Sequence, residues 1–170
     1  AGFSDYNSKV VSNFYGDHEG MNIAGFTQAE IRPVERLKLS AGLRVEQNSL
    51  DEIDDKIVPI FRTGINWQTA DYTFLRASFG QGYRYPSVAE KFASTTLGSV
   101  KIFPNPSVQP ESGWSSEVGI KQGVLMGKIN GQADISLFFS QNTNLIEFPF
   151  RFYLDGLGFR ADNVEQSRVY

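Results

Sequence analysis

Six segments of this chain alternate apolar and polar residues with a period of two, and no segment shows a sustained helical period. Residues 21–31 (MNIAGFTQAEI), 37–47 (LKLSAGLRVEQ), 57–67 (IVPIFRTGINW) and 73–83 (TFLRASFGQGY) keep every charge off their odd positions. Glu30, Lys38, Arg44, Glu46, Arg62 and Arg76 all fall on the even ones. In 114–123 (WSSEVGIKQG) the charge-free set is even, with Trp114, Ser116, Val118 and Ile120, and in 129–141 it is odd, from Ile129 to Phe139. A strand sends successive side chains to opposite faces, so each segment reads as a strand with one charge-free face and one polar face. Further strands are expected within 3–15, 145–154 and 161–170, for seven or eight in all. The fold class is therefore all-β, an antiparallel up-and-down meander.

The connections alternate in length. Residues 32–36, 68–72 and 124–128 are tight turns, whereas 48–56, 84–113 and 142–160 are longer excursions. Short turns at one end and long loops at the other characterise transmembrane barrels, whose strands need about 9–11 residues to cross a bilayer. Strands of soluble proteins average about 5–6 residues. A soluble sheet with one wet face also alternates, so a soluble or secreted β-rich binding or adhesion domain is the competing reading.

Composition closes other routes. Sixteen basic and nineteen acidic residues give a net charge of -3, with no basic footprint for nucleic acid. The chain has no cysteine, which removes disulfides, thiolate metal sites and cysteine nucleophiles. His18 is its one histidine, and no apolar run exceeds three residues, so neither a transmembrane helix nor a signal peptide lies within it. No nucleophile–base–orienter set, G-x-S-x-G elbow or phosphate-binding glycine loop is visible, so no catalytic residue or cofactor is expected.

Several strings, taken in order, resemble the barrel of TonB-dependent outer-membrane receptors. They are NIAGFTQAEIRPVERLKLSAGLRVE (22–46), FRTGINWQTADYTFLRASFGQGYRYPSVAEKF (61–92), NPSVQPESGWSSEVGIK (105–121), SLFFSQNTNLIEF (136–148) and DNVEQSRVY (162–170). The resemblance implies part of a barrel of about 22 strands plugged by a separate N-terminal domain. Residues 1–170 then form a partial barrel domain without the plug or the energy-coupling box, from a protein of the bacterial outer membrane. The implied parent takes up a scarce nutrient, a ferric siderophore foremost and otherwise haem, cobalamin or a glycan. Its implied partners are outer-membrane lipid, the plug, TonB acting through the missing N-terminal part, and a small-molecule ligand.

Candidate ligand contacts lie in the long loops. Tyr83, Arg84 and Tyr85, within GQGYRYPSVAEKF (80–92), would sit at the outer rim, either touching ligand or serving as a girdle residue and loop-holding charge. Pro86 and Glu90 suggest a short helix opening that loop. Phe150, Arg151 and Phe152, with Phe148 and Tyr153, form a second aromatic group able to stack on a ligand or cap the barrel mouth. Asp51, Glu52, Asp54 and Asp55 offer carboxylates to a calcium ion but lack the EF-hand spacing, and a solvated loop is the plainer reading.

Overall fold

The computed structural model describes residues 1–127 and 129–170. Its main sheet contains β1 (Gly2–Ser12), β2 (Gly16–Val34), β3 (Leu37–Leu50), β4 (Ile53–Asp54), β5 (Val58–Ala70), β6 (Thr73–Arg84), β9 (Glu111–Met126), β10 (Ile129–Glu147) and β13 (Asp162–Val169). The order is β1-β2-β3-β5-β6-β9-β10-β13, all antiparallel, with β4 a short flap on β3. This is the expected meander of eight long strands. It is an open sheet, with β1 and β13 as its edges.

The registers show why the charge-free positions change parity along the chain. Ile31, Leu39, Ile65, Ala77, Val118 and Leu137 form one continuous rung across six strands. The adjacent rung is Glu30, Ser40, Gly64, Ser78, Glu117 and Phe138. Cross-strand partners share a face, so the first rung lies on the apolar face and the second on the polar one. Ile31, Ile65, Val118 and Leu137 are all exposed, Leu137 at 73%. An apolar face of this extent with no protein against it is suited to lipid. Phe79, Trp114, Phe139 and Tyr170 meet in sequence across it, tilted or edge-on, with centroids 5.9, 5.0 and 5.2 Å apart. Such a row matches the interfacial aromatic girdle of a membrane barrel.

The polar face is bound by ion pairs. Lys38 reaches Glu30 at 2.8 Å, and Arg76 reaches Glu117 at 3.0 Å and Asp134 at 2.8 Å. The last contact crosses from β6 over β9 to β10. It passes above Gly119, where a Cβ would lie 3.0 Å from the Arg76 guanidinium. Glycine here clears the path for the arginine.

Strands are longer than the roughly 11 residues read from the alternation. β2 and β10 have 19 and β9 has 16. β2 begins with Gly16–Gly20, polar on both faces, where the alternation is absent. Residues 145–154 are not one strand. Residues 145–147 complete β10, and β11 (Phe150–Tyr153) belongs to a second sheet. That sheet contains β7 (Thr95–Leu97), β8 (Val100–Phe103), β11 and β12 (Gly156–Arg160), in the order β11-β12-β8-β7. β8 and β12 pair in parallel, joining the long β6–β9 loop to the β10–β13 loop. Asn105 seals the join, donating to the Ala161 carbonyl at 2.8 Å, and Asn163 bonds to both Gln109 and Asn144. Val108 and Ala161 beneath it are almost fully buried.

Candidate ligand-binding loops

The first loop leaves β6 through Tyr83, Arg84 and Tyr85. Tyr83 donates its hydroxyl to Asp55 at 3.1 Å, tying β6 to the segment before β5. Arg84 lies on the polar face and is fully engaged. It forms a two-pronged pair with Glu111, at 2.7 and 2.8 Å, and reaches Glu90 at 2.9 Å. Glu111 also accepts the Ile146 backbone N–H at 2.7 Å, so one guanidinium coordinates β6, β9, β10 and the loop. This geometry matches the loop-holding role. Tyr85 turns towards Lys91, whose ammonium lies 5.5 Å from its ring centre.

The expected short helix is α1 (Val88–Phe92). Ser87 is its N-cap and forms a reciprocal capping box with Glu90, which leaves Pro86 just before the helix. Burial alone would raise the Glu90 carboxyl; the Arg84 guanidinium and the Ser87 donors outweigh it and hold the group below its ordinary value. α1 lies over the polar face of β1–β3, above a hollow of about 420 Å³ lined by Tyr6, Asn22, Asn48, Leu50, Pro86 and Val88.

The second sheet is amphipathic. Phe150 pairs with Phe159, and Phe159 with Ile102, so one face carries Phe150, Phe152, Leu157, Phe159 and Ile102. The other carries Arg151, Tyr153, Arg160, Lys101 and Phe103. Phe150, Arg151 and Phe152, a single group in the sequence, are therefore divided between two surfaces. Phe152 is 83% exposed. On the polar face Tyr153 lies between the guanidinium groups of Arg151 and Arg160, 5.3 and 4.8 Å from its ring centre, with Phe103 5.2 Å away. Both arginines pair with Asp162. A cavity of about 650 Å³ opens here, lined by Phe103, Pro104, Phe152, Tyr153, Leu154, Asp155 and Arg160. Three cations, Arg151, Arg160 and Lys101, against two carboxylates, Asp155 and Asp162, leave a local positive balance, and the rings give planar surface, a combination that suits an anionic ligand with flat groups.

No hydrogen bond or ion pair joins the Tyr83–Tyr85 group to the Phe150–Phe152 group among the described residues. Arg160, Phe103 and Asp162 were not legible as site residues. They meet only through the parallel pairing of β8 with β12. The acidic residues 51–55 do not converge: Asp51 turns to His18, Asp55 to Tyr83, and Asp54 pairs with Ser49 in β4. Among the described residues, no three carboxylate or imidazole groups gather as metal ligands. His18, isolated in the sequence, is not isolated in the fold, as it meets Asp51 and Phe92.

The family model described as TonB dependent receptor-like, beta-barrel matches residues 1–170. The chain belongs to the TonB-dependent receptor β-barrel family. It is thus a piece of a bacterial outer-membrane protein, and the apolar face is its lipid-facing side. The fold is shared with the hemophore receptor HasR of Serratia marcescens, a double mutant solved with its hemophore HasA and heme. That structure has a TM-score of 0.76 at 14% identity, over 91% of this chain and 31% of HasR. The siderophore receptor PirA from Pseudomonas aeruginosa gives 0.73 at 12%, over 98% and 37%. The copper transporter OprC gives 0.68 at 22%, over 89% and 25%. The chain therefore spans between a quarter and little over a third of these structures. No curated protein matches it.

Proposed function

We propose that this segment supplies wall and outer loops to an active transporter that takes up a scarce nutrient, with a ferric siderophore as its cargo. Haem, cobalamin or a glycan would be the other cargoes of the same kind. A plug carried elsewhere in the parent chain would fill the lumen and meet the polar face, and TonB would act on that plug. The observation that carries the reading is the polar face of the second sheet, where Tyr153, Arg160 and Phe103 line an open cavity and Arg151 lies against the Tyr153 ring. Siderophore chelates present anionic oxygen donors, which guanidinium groups recognise well. The siderophore and hemophore receptors among the structural neighbours support this choice of cargo.

The test is uptake by cells bearing or lacking the full-length receptor under iron limitation. Radiolabelled iron is presented as siderophore chelates or as haem, and labelled cobalamin and glycans are run beside them. Energy-dependent loss of one ferric chelate in the deletion strain is expected. Unchanged uptake of every siderophore would remove the proposal.

A further inference from the structure

His18 lies where three parts of the outer rim meet. Its Nδ1 is 2.7 Å from Asp51 Oδ2, in the turn between β3 and β4. Its Nε2 is 2.8 Å from the Tyr15 carbonyl, in the β1–β2 turn. Its ring stacks on Phe92 at the end of α1, with centroids 3.9 Å apart and planes 16° from parallel. The side chain is only 14% exposed. Beside it the Ser94 N–H donates to the Phe14 carbonyl at 2.9 Å, so the start of the long β6–β9 loop is held on the β1–β2 hairpin at two points.

A backbone carbonyl only accepts hydrogen bonds, and so does an ionised carboxylate. Both ring nitrogens must therefore donate for the contacts to be satisfied together, and only the imidazolium has two donors. We propose that His18 is a proton-operated clasp: its charged ring pins α1 and the long loop to the β1–β2 hairpin, and loss of its proton releases them. Only the protonated ring makes both bonds, so the clasp holds at lower pH and releases as pH rises.

The surrounding charges fit this direction. Asp17 and Glu19 flank His18 on β2, and Lys9 across on β1 is paired with Glu19 at 2.6 Å. From α1, Glu90 is held by Arg84, and the Lys91 ammonium donates to the Pro106 carbonyl at 3.1 Å. Asp51 is thus the carboxylate that makes direct contact with the ring. Its own carboxyl is held below the ordinary value by the His18 bond first and the Glu19 N–H second. It stays ionised throughout the range in which histidine titrates.

The test is hydrogen exchange in the full-length receptor in micelles from pH 5 to 8, corrected for intrinsic exchange rates. The reporters are the Ala93 and Ser94 amides. Their protection is expected to fall about tenfold or more as pH rises, the scale set by losing one charge-assisted hydrogen bond. His18→Phe keeps a ring for the stack but removes the donors, and should abolish the pH response. Asp51→Asn should diminish it. Protection that does not vary with pH in the native receptor would overturn the clasp, as would an unchanged response in His18→Phe. Neither result bears on which nutrient the receptor carries.

Discussion

Arg84 was a candidate ligand contact in the sequence, yet every hydrogen bond recorded for it goes to Glu90 or Glu111. Arg84→Gln is expected to weaken the junction by about 1–2 kcal/mol, a charge-assisted network discounted for partial exposure. Faster hydrogen exchange at Ile146, whose N–H is bound to Glu111, is the check. A residue that only touched ligand would change affinity and leave that amide unmoved. The junction also has an acid limit. Glu90 is depressed in the folded state, so its contribution is complete above the ordinary carboxylate range and is lost as pH falls through its lowered value. Exchange of the α1 amides should therefore quicken in strong acid, and Glu90→Gln should be loose at every pH. Asn144 is another informative position, with φ of 58° inside β10, where L-residues other than Asn and Asp are strained. Asn144→Val should destabilise by about 1 kcal/mol or more and Asn144→Gly far less, as read by denaturant titration of the folded receptor.

Strands and their caps differ in how openly the sequence declares them. The long strands were legible because one face must avoid charge along its whole length, which imposes a strict two-residue period from Met21 to Phe139. The alternation is absent from Gly16–Gly20 of β2, so that end was set too short. The helix was legible from Pro86 and Glu90, although Ser87 is its cap and Pro86 stands just before it. Ser87→Ala should cost about 1 kcal/mol and raise proteolysis within 88–94. The second sheet was not legible. Its strands have three to five residues, and β8 finds β12 across more than fifty positions, with a parallel register that no local pattern encodes. Of the candidate site, Arg151 and its flanking phenylalanines stood out by composition. Arg160 and Phe103 became site residues only through that distant pairing.

At the scale of the whole molecule, the two faces of the sheet define inside and outside. Val118→Arg places a charge against lipid and should cost roughly 2–4 kcal/mol if it lies near the bilayer midplane, whereas Ser115→Arg on the polar face should cost much less. Equilibrium folding of the two full-length variants into bilayers would separate them, and equal costs would contradict the assignment of faces. Isolated, the 170-residue segment leaves the outward edges of β1 and β13 unpaired, so it should need detergent and self-associate, as light scattering would report. The parallel ladder between β8 and β12 has a consequence for how such receptors diversify. Residues 93–110 and 148–161 build one sheet together, so neither can be exchanged alone without leaving the other with an orphaned edge. A chimera that transplants both should fold its cap intact, and one that transplants either should not. These two distant stretches fold as a single module.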